Sequence, residues 1–260
     1  MKKTLIVIFF MILFSFATLA DLEEGLVVYL NFDQGKVDTV KDMSNSGNNG
    51  VVKGNPKWVP GPRAELGSAV EFDGVESYIE VADNDSLDFG EDDVTMMLWI
   101  KQDVDQVDYP RPISKMPLFG TDKPGFDVIT VGLKQPALRI FYGMSGNTRQ
   151  EVDGGQLIAD GEWHHLVAMK DEEEGKIYID GNLVGSAPFT PLDISNDYPL
   201  IIGANAEPAA HVMFKGVVDE VAVYNRALTE DEILTAMDGK VILAVEPGNK
   251  AATLWAEIKR

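Results

Sequence analysis

The sequence predicts an all-β fold: a two-sheet antiparallel sandwich or jelly roll with one short helix near the C-terminal end. Three observations lead there. Apolar residues alternate over short segments, helical periodicity is nearly absent before residue 227, and glycine-containing turn sequences recur between the alternating segments. Many short strands separated by tight turns bury their apolar faces most simply by stacking as two layers.

The strands follow from the alternation. In the segment 26–32, Leu26, Val28, Leu30 and Phe32 share one face, and in 94–101 Val94, Met96, Leu98 and Ile100 do the same. Further strands are expected at 69–73, 77–82, 127–133, 137–142, 164–170, 176–180, 199–203 and 217–224. The turns between them include Asp73-Gly74, Asp153-Gly154-Gly155, Asp160-Gly161 and Asp180-Gly181. Asp-Gly pairs accept the positive φ that tight hairpins require. The helix is signalled by Thr229-Glu230-Asp231-Glu232, a capping box with Thr229 as N-cap. Leu228 and Ile233 stand at staple positions, and Gly239 marks its end. The segment 103–125, rich in Asp, Pro and Lys, reads as a long loop, and such loops on sandwiches often carry function.

The first 20 residues have the layout of an export signal: Lys2 and Lys3, an apolar run from Leu5 to Phe16, and the small residues of Thr18-Leu19-Ala20. Cleavage before Asp21 leaves 240 of the 260 residues and takes the formal charge from −20 to −22. The apolar run is short for a membrane span, which needs about 20 residues. The expected location is therefore secreted, periplasmic or cell-surface, with no membrane span after cleavage. No cysteine occurs, which excludes disulfides, thiol chemistry, cysteine-based zinc sites and a lipidated cysteine. The strongly acidic surface argues against nucleic acid as a partner and is compatible with divalent cations.

Four phrases, in order, resemble the laminin-G-like branch of the concanavalin A-like lectin/glucanase jelly rolls. They are Leu26 to Asp33 with Asp42 to Gly50; Ala69 to Gly74 with Tyr78 to Val81; Gly161 to Ala168 with Ile177 to Gly181; and Val218 to Thr229. Together they span residues 22–238, so the expected organisation is a signal peptide (1–20), one jelly-roll domain (21–238) and a C-terminal extension (239–260). The resemblance implies a module that binds a glycan or an extracellular protein and often holds one structural calcium ion; a monomer is expected. By similarity, Asp219 supplies a carboxylate to that ion, Gly74 a carbonyl and Asp33 a further oxygen, with Asp73 and Asp42 in reserve. The pattern of the last strand agrees, because Asp219 alternates with Val217, Val221 and Val223, and a carboxylate among valines is costly unless paired or metal-bound.

Two enzyme-like patterns compete with this. Glu71, Asp73 and Glu76 have the spacing that retaining glucanases of the superfamily use, which makes a glycan-active enzyme with Glu71 and Glu76 the alternative. However, Gly74 directly after Asp73 reads as a tight turn, which aims the two glutamates in different directions. His164 and His165 are adjacent on a strand and face opposite sides, so they cannot chelate one ion together. The expectation is a non-catalytic binding module, with a purely structural or adhesive envelope protein as a second alternative. Trp58, Tyr109, Tyr142 and Tyr198 are the aromatics expected outside the core and hence the ligand-binding candidates, while Trp99 and Trp163 are expected in it.

Overall fold

β-Branched and aromatic residues in alternation form the strands, and glycines and aspartates end them. The computed structural model describes residues 22–102, 109–116, 124–130, 138–143, 149–155, 157–191, 193–207 and 212–242; side chains of 138–143 and 149 are outside the described set. The proposed signal, the tail from residue 243 and much of the 103–125 loop lie outside these residues.

Strands are numbered in chain order. One sheet runs β14 (Asn182–Pro188), β13 (Glu174–Ile179), β12 (Trp163–Asp171), β7 (Val94–Lys101), β16 (Lys215–Tyr224), β5 (Ser68–Asp73) and β4 (Lys57–Pro60), with β1 (Leu26–Leu30) also paired to β16. The other runs β11 (Arg149–Asp153), β10 (Leu138–Gly143), β9 (Gly125–Thr130), β8 (Ile113–Lys115), β15 (Leu200–Ile202), β6 (Tyr78–Val81), β3 (Gly50–Lys53) and β2 (Thr39–Val40). Every pairing among them is antiparallel. The expected sandwich is therefore observed, and it contains strands the sequence reading did not anticipate, β2, β3, β11 and β14 among them. Trp58 lies in the edge strand β4 rather than in a loop, and the long loop contains the short strand β8.

The core fills the space between the sheets. Leu30, Phe72, Leu98, Phe126, Ile202 and Phe214 are buried there together, each contributing about 1.5–3 kcal/mol of transfer free energy. A second apolar cluster covers the outward face of the first sheet. Tyr29, Met97, Val167 and Tyr224 meet Ile233 and Ala236 of α1 (Glu230–Met237). The capping box forms as predicted: the Glu232 N–H donates to Thr229 Oγ1 at 3.3 Å, and the Thr229 N–H donates to Glu232 Oε2 at 2.8 Å. Leu228 and Ile233 are both buried in this cluster, as a staple requires.

Candidate cation cradle and ligand-binding rim

β16 does not keep its alternation. Its register against β7 shifts between Asp219 and Ala222, and Glu220 adopts φ 52°. This bulge inserts one residue, so Val218, Val221 and Val223 all reach the core while Asp219 leaves it. The expectation that Asp219 points the same way as Val221 and Val223 is thus corrected. Asp219 lies opposite Trp99 of β7, fully buried beneath the loop 61–67.

There Asp219 Oδ1 accepts the Glu220 N–H at 2.9 Å, while Oδ2 has no hydrogen-bond partner. A Cβ built on Gly61 would stand 2.6 Å from Asp219 Oδ2, 3.0 Å from the Leu66 carbonyl oxygen and 3.3 Å from that of Gly67. Three oxygens therefore converge on a glycine that leaves space between them. Asp33 stands on the other side of Gly67, whose added Cβ would overlap its carboxylate, and Asp33 Oδ1 accepts the Ser68 N–H at 3.0 Å. Both Asp33 and Asp219 adjoin strained backbone, at Phe32 (φ 54°) and Glu220.

The electrostatics are those of excess negative charge. Burial, then the neighbouring Glu220, and also Asp33, push the Asp219 carboxyl up to about 9. Burial pushes Glu220 up to about 7, although the Tyr29 hydroxyl donates to its Oε2 at 2.6 Å. Among the described residues no three His, Cys, Asp or Glu side chains gather as a metal cluster. The cradle instead mixes carboxylate with backbone carbonyl oxygen, a donor set that suits calcium and not zinc.

The other residues expected at the ion are elsewhere. Asp73 pairs with Lys215, four residues before Asp219 on β16, which is about 13 Å along a strand. Its Oδ1 accepts the N–H groups of Val75, Glu76 and Ser77 at 2.8, 3.0 and 3.1 Å. Those bonds, working against burial, hold the Asp73 carboxyl down at about 2. Gly74 occupies the same turn at φ 74°, packed against Lys215. Asp42 is buried and committed to its own loop, accepting from the Tyr29, Ser44 and Asn48 N–H groups. Gly61, Leu66 and Gly67 were missed by sequence reasoning, because carbonyl donors carry no side-chain signal. The only hint was a glycine at each end of Gly61-Pro62-Arg63-Ala64-Glu65-Leu66-Gly67.

Glu71 and Glu76, the carboxylates of the glucanase-like spacing, lie on different elements. Glu71 lies within β5, 3.4 Å from Lys57 Nζ, whereas Glu76 lies in the turn after β5. His164 Nδ1 is 2.8 Å from Asp180 Oδ2, and its Nε2 is 3.3 Å from Asp160. His165 faces the outward side with Trp99, their ring centroids 5.3 Å apart. Trp99 is therefore on the outward face, not in the core.

Of the aromatic candidates, Tyr109 is exposed at 40 % and has φ 60°. The Tyr109 carbonyl accepts from Arg111 Nη1 at 3.0 Å. Arg111 Nε in turn donates to Asp127 Oδ2 at 2.7 Å, both side chains being 1 % exposed. The Ser114 hydroxyl donates to the other oxygen of Asp127. Trp58 and Tyr198 are only half-exposed; Tyr198 packs on the cluster around Ile201. Tyr142 lies in β10 opposite Phe126 and Gln150, with its side chain outside the described set.

Two stacked antiparallel sheets with a bulged last strand define a two-layer antiparallel β-sandwich. Residues 73–234 match the model of the concanavalin A-like lectin/glucanases superfamily, laminin-G type, and the chain belongs to that superfamily. Human pikachurin is 29% identical over 131 residues, 46% of this chain but 12% of pikachurin. The chain thus spans about an eighth of that relative. Among solved structures, the binding domain of Paraclostridial Mosquitocidal Protein 1 is similar with TM-score 0.66 and 21% identity, over 84% of this chain and 53% of that one. Domain 4 of AbnA, a GH43 extracellular arabinanase from Geobacillus stearothermophilus in complex with arabinotriose, gives TM-score 0.62 and 21% identity over 80% and 96%. The binding domain of botulinum neurotoxin DC in complex with SialylT gives 0.61 and 15% over 84% and 52%. At these identities the likeness establishes the fold. Among the described residues, no helix is long and apolar enough to cross a membrane.

Proposed function

We propose that this chain is an exported, non-catalytic carbohydrate-binding module, stabilised by one calcium ion. The observation that carries the binding reading is the way Tyr109 is held. An exposed aromatic ring stands on a residue of positive φ, and its carbonyl is fixed by an ion pair buried in the sandwich. Sugar CH faces stack on such rings, and a rigid mount reduces the entropy lost on binding. Structural neighbours solved in complex with arabinotriose and with SialylT support the same reading. The placement of Glu71 within β5 and Glu76 in the turn after it favours the binding reading over a retaining glycosidase pair.

Calcium is supported by the unpartnered Asp219 Oδ2 and the space left at Gly61. Asp219, Asp33 and the carbonyls of Leu66 and Gly67 would hold the ion, with water completing six to eight ligands. Bound there, it would neutralise the buried acidic cluster and tie the end of β1, the 61–67 loop and β16 to one another.

The test is a glycan array on the folded chain, in calcium and in chelator. With a formal charge of −20, neutral oligosaccharides are expected to bind in preference to sialylated ones. Tyr109→Ala should weaken binding roughly tenfold, the worth of one stacked ring. Absence of any glycan binding by folded protein overturns the reading and leaves a protein ligand as the one to seek.

A further inference from the structure

We propose that the 61–67 loop couples the cation cradle to helix α1, so that filling the cradle fastens the helix to the sandwich. This rests on the calcium reading above. Leu66 belongs to both places: its carbonyl oxygen faces the cradle, and its buried side chain packs against the end of the helix. A Cβ on Gly239 would overlap Leu66 Cδ2.

Arg63 makes the second link. Its Nη2 donates to the Met237 carbonyl at 2.6 Å, and its Nη1 lies 3.4 Å from Asp238 Oδ1. The helix has three acidic residues in its first turn and no basic residue in its last. The positive charge that a helix C-terminus favours therefore comes from the loop. The same guanidinium lies 5.6 Å from the centroid of Trp99, which is the cross-strand neighbour of Asp219. The loop is closed on itself by the Gly61 N–H donating to the Gly67 carbonyl at 2.9 Å.

A helix of eight residues is too short to persist alone and depends on its docking. Its N-terminal end carries its own capping box. Its C-terminal end depends on a loop whose inner oxygens face the buried Asp219 carboxylate. An ion drawing on those oxygens stiffens the loop, and the loop holds the helix end.

The experiment is hydrogen exchange of the full chain in calcium and in chelator, with melting temperature read on the same samples. In the unaltered chain, calcium should slow exchange of the amides of residues 233–239 roughly tenfold. Arg63→Gln should abolish that response while the melting temperature still rises with calcium, because Arg63 is not an ion ligand. Thr229→Ala, which loosens the other end of the helix, should raise exchange in both conditions and keep the calcium response. A calcium-dependent melting temperature with unchanged helix exchange overturns the coupling alone, as does an Arg63→Gln chain that keeps the response. No melting shift at all overturns the calcium reading, and this inference with it.

Discussion

Arg111 and Asp127 are both inaccessible, and burial pushes the Asp127 carboxyl upward against the pull of Arg111. Removing one partner strands the other charge, so Asp127→Ala should destabilise by about 3–5 kcal/mol, read as a lower denaturant midpoint. The double change Arg111→Met with Asp127→Leu should recover most of that stability. It should not recover ligand affinity, because the Tyr109 carbonyl loses its donor. His164 gives a second residue-level test. Burial alone would lower its pKa, but the bonds to Asp180 and Asp160 outweigh burial and hold it above the ordinary 6.5. Asp160 is held low in turn, first by the Glu162 N–H and also by His164. A histidine raised on folding contributes stability that is fully present below its unfolded value and lost as pH rises through its folded value. The denaturant midpoint of the unaltered chain should therefore exceed that of His164→Gln at pH 6, and the gap should shrink by pH 8.

At the level of elements, the capping box of α1 holds a short helix whose docking covers the outward cluster of the first sheet. Thr229→Ala removes the hydroxyl that accepts the Glu232 N–H and donates to Glu232 Oε2, and should cost about 1 kcal/mol, visible as an earlier urea midpoint with no change in slope. This element was legible because its signal is local: four consecutive side chains determine it. Strands such as β7 and β12 were legible as short apolar runs bounded by turn residues, although both of their faces are covered. β4 was not, because a four-residue edge strand ending in Pro60 lacks enough alternation to register. β16 was legible as a strand but not in its register. This bulge turns on a left-handed residue, and Glu220 carries no local mark of one. That single inserted residue decides whether Asp219 faces the core or the cradle.

For the whole molecule, the two-layer closure was readable from the sequence. Asp33 and Asp219 come together because β1 pairs with β16, a contact about 190 residues apart in sequence that family resemblance anticipated. The carbonyl oxygens of Leu66 and Gly67 beside Asp219 were not legible, because every residue has a carbonyl and only the path of the loop brings these two there. The cradle joins segments distant in the chain, so a bound cation stabilises the native state alone. At calcium about 100-fold above the dissociation constant this linkage is worth ~2.7 kcal/mol, or about 5–10 °C in melting temperature for a chain of this size. Asp219→Asn should blunt the rise by removing a ligand charge. Gly61→Ala should blunt it without altering any ligand, because its Cβ would stand where the three oxygens converge. Were Gly61→Ala to keep the full calcium shift, the ion would have to bind elsewhere, and Asp219 would be a buried acid held neutral by its surroundings.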